Sequence, residues 1–513
     1  MSLLTVSIAA DTLAAVVEGA EKASQGGAEA VELRIDAFAD DPRALAEHLR
    51  THPDRTWIVA CRGVAEGGRC RADARTRAAR AAAAAGAHAY VDFELADWSR
   101  EPAVRETLAR VAAGGRLILS SHHFDGPPDR PRDLVQGMLE AEEAAVAKVA
   151  YQARTISDSF AALDMMHEHG GSVIAVAMGE AGLWTRVLAA KLGGFCTYCA
   201  PASESATAPG QLSLADMLER YRWRAIDRDT KVYGVLGDPV GHSMSPRLFN
   251  RWFHCAGADA VYLPLHVPAE ELEGFLEACR RRPWLDLGGF SVTIPHKARA
   301  FAWVGGGADW LSRGVEAVNT LSLDAGGPRG YNTDCHAAVS SLVEALGGAG
   351  GPGADLFGRS IDVLGTGGAA RAVVAGLREY GAAVTVYGRS PEKGRSLADR
   401  FQCDAEPWER RAAGRGEVLV NCTNVGMWPR LDESPMPPEG LECRHLVFDL
   451  IYNPLETSLL RQASAVGART LNGLDMFLRQ AAAQFELWTS MTPDRALGRS
   501  VIAEALEDRP GTP

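Results

Sequence analysis

The chain is 513 residues long, 47% hydrophobic and 23% charged, with a formal net charge of -12 at pH 7. That length exceeds what one hydrophobic core supports, and at ~100–200 residues per domain about three domains are expected. The acidic balance argues against a nucleic-acid or anionic-membrane partner, which needs a basic face, but leaves small anionic substrates open because they answer to local arginines.

In chain order, short β-branched runs at residues 4–9, 30–36, 57–62, 89–95, 116–122, 146–153, 173–179 and 194–200 alternate with alanine-rich helical patterns, among them 12–24, 71–85, 156–169 and 212–221. This α/β alternation, eight βα units in about 220 residues, predicts a (β/α)8 barrel over residues 1–225. A doubly wound sheet is the competing architecture. Arg34, Arg62 and His122 stand at or near the C-terminal ends of three predicted strands and Lys148 within a fourth. Barrel enzymes gather their active sites at that face.

Residues 222–231 are polar and aperiodic, and 226–231 read as a linker. Strands then restart at 232–236, 260–266 and 287–293, in a domain expected over 232–340. A glycine-rich stretch, 347–353, precedes strands at 360–365, 383–389, 417–423 and 445–452, which predict a Rossmann domain over 341–470. Helical patterns in 471–513 complete this second half. The ten cysteines include one CxxC, Cys196 and Cys199, with no second pair to complete a zinc site. They are expected to be ordinary thiols of a cytoplasmic protein, and no metal is implied. Asp11, Glu18 and Glu21 interrupt the N-terminal apolar character, so no signal peptide is expected, and no apolar run is long enough to span a membrane.

Residues 360–372 run from a strand through Gly365, Gly367 and Gly368 into a helix. Gly365 allows the tight turn, Gly367 lets backbone approach a pyrophosphate, and Ala370 permits close helix–strand packing. Where a fold that prefers NAD places an acidic residue, this chain has Arg389 and Ser390, with Lys393 beyond. Cations there suit the 2′-phosphate of NADP; the alternative is that both are solvated surface charges.

Ser243 and Ser245 fall in a turn before a helix, where their hydroxyls could cap it or grip a carboxylate and hydroxyls. Lys297 follows one strand and Asp334 another. A Lys–Asp pair can hold a hydroxyl and exchange its proton while hydride moves at its carbon. HSMSP (242–246), SVTIPHK (291–297), AVNT (317–320), YNTD (331–334), GTGGAARA (365–372), NCTNVGM (421–427), DLIYNP (449–454) and GLDMFLRQ (473–480) together resemble the shikimate dehydrogenase signature set, in the same order over about 280 residues. The resemblance implies that Lys297 and Asp334 are the catalytic pair. It implies that Ser243, Ser245, Thr293, Asn319, Asn332, Tyr452 and Gln480 bind substrate, and that Thr423 and Gly473 join the cofactor site. Phe249 stands where many members have His, Ser291 where many have Asn, and Gly388 where the NADP motif usually has Asn.

In the first half, VELRID (31–36), CRGVAEGG (61–68), LSSHHF (119–124), Lys148, WTR (184–186) and TAPGQ (207–211) resemble the type I 3-dehydroquinate dehydratases. A lysine inside a barrel is costly to charge, so burial and nearby cations are expected to push Lys148 toward the neutral amine, a nucleophile for ketones. Lys148 would form a Schiff base, His122 would move the proton at the adjacent carbon, and Glu66 would orient His122. Arg186 and Gln211 would hold the substrate carboxylate. Thr207, which replaces the family's Ser and keeps its hydroxyl, would join the substrate site, and Glu32, Arg34 and Arg62 would contact the ring hydroxyls. Alternatively, Glu32 and Arg34 form a barrel-mouth salt bridge. His123 replaces the family's usual Asp or Asn, beside the imidazole in sequence.

The dehydratase-first order resembles the bifunctional enzymes of plants, with 3-dehydroquinate, 3-dehydroshikimate and shikimate as ligands. The rivals are a quinate dehydrogenase in the second half and a non-catalytic metabolite sensor, against which Lys148, His122, Lys297 and Asp334 weigh together.

Overall fold

The computed structural model describes residues 2–9, 11–141, 143–202, 210–324, 326–348, 352–442, 444 and 446–507. Two compact units divide it: Met1–Lys231 with Asp259–Glu271, and Val232–Ala258 with Leu272–Pro513.

The first unit is a barrel. Its strands are β1 (Leu3–Ala9), β2 (Ala30–Arg34), β3 (Thr56–Ala60), β4 (Tyr90–Glu94), β5 (Leu117–His123), β6 (Val146–Gln152), β7 (Val173–Met178) and β8 (Cys196–Cys199). They lie in the order β7-β6-β5-β4-β3-β2-β1-β8, and the neighbouring pairs are parallel. Phe195 carries the sheet round on itself: its N–H donates to Val173 O at 2.8 Å and its carbonyl accepts from Leu3 N at 3.0 Å. Parallel strands need crossovers, and capped helices supply them. The Thr12 hydroxyl caps Leu13–Gln25, and the Asp73 carboxylate caps Ala74–Ala85. The second of these buries Ala78, Ala81, Ala84 and Ala85, small residues that let helices and strands pack closely. The barrel is therefore the architecture adopted, not the open doubly wound sheet.

Period-2 alternation decides which side chains enter the barrel. Ile58, Ile118, Val146, Ala150, Ile174, Val176, Met178, Cys196 and Tyr198 form one interior cluster. Ser120 and His122 share the face of Ile118, and Lys148 lies between Val146 and Ala150. Residues 222–231 are pinned along their length. Trp223, Ile226 and Thr230 are buried, and Lys191 Nζ donates to the carbonyls of Arg228 at 2.7 Å and Thr230 at 2.8 Å.

A second sheet holds β9 (Lys231–Gly237), β10 (Ala260–His266), β11 (Leu287–Val292), β12 (Thr320–Asp324) and β13 (Gly327–Tyr331), in the order β10-β9-β11-β12-β13. The third holds β14 (Ser360–Leu364), β15 (Ala383–Gly388), β16 (Asp404–Pro407), β17 (Val418–Asn421), β18 (Leu446–Asp449) and β19 (Arg469–Leu471), parallel in the order β16-β15-β14-β17-β18-β19. The order reverses between β14 and β17, the switch point at which doubly wound sheets open a crevice. Strands β12, β16 and β19 were not foreseen, while β13 is the strand expected ahead of Asp334. β13 is Gly-Pro-Arg-Gly-Tyr and β16 Asp-Ala-Glu-Pro, poor strand formers that are held by pairing with β12 and β15.

At the opposite end of this sheet, the guanidinium of buried Arg444 donates to Asp362 and to the carbonyls of Gly414, Gly416 and Gly440. Replacing Arg444 with Met removes the cation and leaves a buried carboxylate, so the unfolding transition of the second unit should lose ~3–5 kcal/mol. Denaturant titration followed by circular dichroism measures it; a loss below about 1 kcal/mol would show that the pair contributes little there.

Candidate active sites

Lys148 enters the barrel from the middle of β6 and is 5% exposed. Its Nζ donates to Glu32 Oε1 at 3.0 Å, Asp92 Oδ2 at 2.7 Å and the Tyr198 hydroxyl at 3.0 Å. An ammonium has three N–H groups, and here all three have acceptors. Burial acts to lower its pKa, but the carboxylates of Asp92 and Glu32 outweigh it, and Lys148 is held above the ordinary lysine value. The expectation of a neutral amine is thus corrected for the free protein. The reason is Asp92, which the sequence reading missed. In Tyr90–Glu94 the same alternation that buries Val91 and Phe93 against the helices turns Asp92 and Glu94 inward, and that was the available signal.

Asp92 also accepts from Arg62 Nη2 at 2.8 Å and from Ser120 Oγ at 2.6 Å. Burial opposes its charge, yet Arg62 and Lys148 keep its pKa lowered. Glu32 behaves alike: burial raises it, but Lys148 leads the groups that hold it below the usual value, and Ser7 Oγ donates to it at 2.7 Å. Arg34 pairs with Asp36 at 2.8 Å rather than with Glu32, so the simple Glu32–Arg34 bridge is not formed.

His122 Nδ1 lies 2.8 Å from Glu66 Oε2. Burial, then Arg62 and Lys148, push the imidazole well below its ordinary pKa, so it is neutral. Burial pushes Glu66 up to about 7. Once ionised, Glu66 can accept only from Nδ1–H, which leaves the Nε2 lone pair free to act as a base. A tight loop returns Glu66 over the barrel: Gly63 N–H donates to Glu94 Oε1 at 2.8 Å, and a Cβ on Gly68 would stand 2.0 Å from Arg62 O. His123 lies on the other face of β5, with Nε2 2.9 Å from Ser121 Oγ, so the departure at 123 turns away from the imidazole.

Arg186 is 2% exposed; its Nη1 donates to Tyr198 O at 3.3 Å and its Nε has no partner. Burial pushes its pKa down to about 10. A buried guanidinium without a carboxylate among the described residues is suited to an anionic ligand. Gln211 is half-buried, and Thr207 lies outside the described residues.

In the second unit Lys297 opens the helix Lys297–Val304 and Asp334 opens Asp334–Leu346. Nζ donates to Asp334 Oδ2 at 2.6 Å. Asn319 Nδ2 donates to Asp334 Oδ1 at 2.8 Å, and Asn332 Oδ1 accepts the Asp334 N–H at 3.2 Å. Asn332 Nδ2 in turn holds Ala317 O at 2.9 Å. The sequence reading also missed Gln484, which receives Ser291 Oγ at 2.6 Å and donates to Asn319 O at 3.1 Å, fixing the asparagine from behind. Ser245 is the first residue of its helix rather than part of the turn, and its N–H donates to Ser243 Oγ at 3.2 Å. Thr293 is half-buried beside Gly237. Tyr452 stacks on Phe477 with ring centroids 4.3 Å apart, while the Gln480 amide donates to Phe477 O at 2.9 Å.

The glycine turn leaves β14 at the switch point. Gly365 has φ +112°, a conformation open to glycine, and a Cβ on Gly367 would meet nothing within 4 Å. Gly367 precedes the helix Gly368–Glu379 and Ala370 is fully buried within it, so free N–H groups face open space at a helix start. A Cβ on Gly368 would come 3.3 Å from the Lys297 stem, placing the nucleotide turn beside the Lys–Asp pair. Ser390 caps the helix Pro391–Phe401, and Arg389 and Lys393 beside it are exposed. Thr423 Oγ1 donates to Asn421 Oδ1 at 2.7 Å, and Gly473 is required by Leu450 O, 2.0 Å from where its Cβ would stand. These residues fit a dinucleotide with an added phosphate.

Among the described residues no three His, Cys, Asp or Glu gather as for a metal, no helix is long and apolar enough to cross a membrane, and nine cysteines are free thiols.

Residues 4–228 match the family profile described as type I 3-dehydroquinase, and 235–321 the shikimate dehydrogenase substrate binding domain. Residues 473–503 match the shikimate 5′-dehydrogenase C-terminal domain, and 360–442 a profile described as NADP oxidoreductase coenzyme F420-dependent. The chain is 33% identical over 518 residues to the bifunctional 3-dehydroquinate dehydratase/shikimate dehydrogenase, chloroplastic, of Arabidopsis thaliana, covering 98% of this chain and 84% of that protein. It is 37% identical over 287 residues to the shikimate dehydrogenase (NADP(+)) of Methanosarcina mazei, covering 54% of this chain and 99% of that one. The Thermus thermophilus shikimate 5-dehydrogenase, solved with NADP(H) and shikimate, is 36% identical with a TM-score of 0.47, over 54% of this chain and 99% of that chain. The chain belongs to the family of bifunctional 3-dehydroquinate dehydratase/shikimate dehydrogenases.

Proposed function

We propose that the chain dehydrates 3-dehydroquinate to 3-dehydroshikimate in the barrel and reduces that product to shikimate with NADPH in the second unit. The observation that carries this reading is the pair of separate lysine–carboxylate centres, Lys148 with Glu32 and Asp92, and Lys297 with Asp334. A sensor has no use for both. We assign residues 1–225 to the dehydratase, 226–231 to the linker, 232–340 to substrate binding, 341–470 to the nucleotide domain and 471–513 to its completion. The free thiols suit a cytoplasmic setting.

In the barrel, Arg186 takes the substrate carboxylate, which gives its buried charge a partner, and Gln211 and Thr207 complete that end. Arg34, Arg62 and Glu32 meet the hydroxyls. Lys148 gives up one proton to water as the substrate binds, and its lone pair adds to the ketone carbon. The adduct then expels the former ketone oxygen as water to form an iminium, which acidifies the neighbouring C–H and is hydrolysed by water after the elimination. Neutral His122, aimed by ionised Glu66, takes that proton at Nε2 and returns one to the departing hydroxyl.

In the second unit, Ser243, Ser245, Thr293, Asn319, Asn332, Tyr452 and Gln480 hold the substrate. Lys297, fixed by Asp334, delivers the proton to the ketone oxygen of 3-dehydroshikimate. NADPH supplies a hydride when bound. Gly365, Gly367, Gly368 and Ala370 make room for its pyrophosphate, Thr423 and Gly473 shape the crevice, and Arg389, Ser390 and Lys393 take the 2′-phosphate.

The direct test is purified chain with 3-dehydroquinate and NADPH: steady oxidation yielding shikimate is expected. Lys297→Ala should stop oxidation and leave 3-dehydroshikimate to accumulate. Lys148→Ala should still reduce added 3-dehydroshikimate. Loss of both activities in either folded variant would sink the two-centre reading.

Dehydratase turnover should fall as pH drops through about 7, because Glu66 then takes up a proton, loses the negative charge that favours Nδ1–H, and can offer its own O–H to the ring instead. Glu66→Gln keeps an acceptor that does not titrate, so this limb of the profile should vanish. A limb that persists in the variant belongs to another group.

For the cofactor, Arg389→Ala should weaken NADP binding by roughly ten- to a hundred-fold and barely change NAD binding. Equal losses with both would remove Arg389 from the 2′-phosphate site.

A further inference from the structure

Tyr198 is the third partner of Lys148. Its hydroxyl oxygen lies 3.0 Å from Nζ, and its ring centroid lies 4.3 Å from the same atom. It points into the barrel from β8 and is buried. Burial, reinforced by Cys196, Glu32 and Asp92, carries the phenol well above its ordinary pKa, so it keeps its proton. Its backbone carbonyl meanwhile accepts from Arg186 Nη1 at 3.3 Å. One residue therefore touches both groups that would hold the two ends of one substrate.

The chemistry at Nζ needs a donor. When an amine adds to a ketone, negative charge develops on the carbonyl oxygen, one bond angle away from the attacking nitrogen. Glu32 and Asp92 are acceptors when ionised and can only repel that charge. Among the described groups bonded to Nζ, Tyr198 alone carries a hydrogen to give. A hydroxyl already within hydrogen-bond distance of the nucleophile is also within reach of the oxygen of a ketone whose carbon bonds to it.

We propose that Tyr198 is a further catalytic residue of the dehydratase, donating its phenolic hydrogen to the ketone oxygen as Lys148 adds to the carbonyl carbon. The proposal rests on the Schiff-base reading above. Lys148 enters the step as the amine. Its lone pair forms the C–N bond, the C=O π pair moves to oxygen, and that oxygen takes the phenolic proton. The nitrogen, now positive, sheds one N–H proton to the phenolate oxygen. The net change is one N–H replaced by N–C and one O–H gained by substrate, with Tyr198 restored.

The test uses the full chain with Tyr198→Phe, which keeps the ring and the backbone carbonyl. Losing one donor to a developing oxyanion typically slows chemistry by ~10²–10³-fold. Formation of the borohydride-trapped adduct on Lys148 and kcat with 3-dehydroquinate should therefore both fall by ~100-fold. KM should stay within about twofold, because Arg186 keeps its carbonyl partner. A merely packing role would raise KM or lower the melting temperature without singling out adduct formation.

If wild-type Lys148 is never labelled, the Schiff-base reading fails and the proposal with it. If wild type is labelled and Tyr198→Phe is labelled as fast, the role of Tyr198 alone is overturned. Should the variant not fold, difluorotyrosine placed at position 198 lowers the phenol pKa at nearly constant shape. The alkaline limb of adduct formation should then move to lower pH, and an unmoved limb overturns the proposal.

Discussion

A buried ammonium whose three N–H groups are all occupied is the constraint on which the barrel interior depends. Charging an amine in such a place is prohibitive unless counter-charges and hydrogen bonds come with it. Here Glu32, Asp92 and Tyr198 supply them from three other strands, and each supplier needs its own support. Asp92 leans on Arg62 and Ser120, Glu32 on Ser7, and Arg62 lies 3.8 Å from Glu66, which in turn meets His122. The network spans β1, β2, β4 to β6, β8 and the loop after β3, so strand register and pleat must be right round the barrel for any member to find its partners. The same coupling sets protonation: positive charge from Arg62 and Lys148 helps keep His122 neutral, the form a base must have.

The second unit meets the same problem with fewer parts. Lys297 has one carboxylate, Asp334; Asn319 donates to that carboxylate, Asn332 accepts the Asp334 backbone N–H, and Gln484 holds Asn319 from behind. A partly buried lysine needs less compensation than a fully buried one. What it needs is placement, and its stem against Gly368 places it beside the nucleotide turn.

Much of this was legible in the amino-acid order, for physical reasons that differ by residue. Strand alternation and the glycine turn are local, so the barrel, the Rossmann sheet and Gly365–Gly367 could be read directly. His122, Lys148, Lys297 and Asp334 sit in short motifs whose neighbours are also informative. Asp92, Tyr198 and Gln484 sit in no such motif. Their importance comes from partners 56, 50 and 165 positions away, and a pairing of that kind exists only after the strands have closed. The error over the charge of Lys148 has this origin: burial was legible, the carboxylates that overrule it were not. The edge strands β16 and β19 escaped notice because edges need few apolar residues.

The two charge networks share no residue, and this bears on why one chain holds both. A lysine kept as an ammonium by two carboxylates and a lysine kept beside a nucleotide turn demand opposite surroundings, one dry and enclosed, the other open to a large cofactor. A single cavity could not satisfy both without leaving one charge unpaired. Tethering resolves the conflict by leaving each lysine its own field. The tether also raises the local concentration of the first centre's product near the second, with no contact between the centres required. Fusion of this kind therefore preserves each chemistry because it changes neither network, and selection can act on the connection while the buried ion pairs stay fixed.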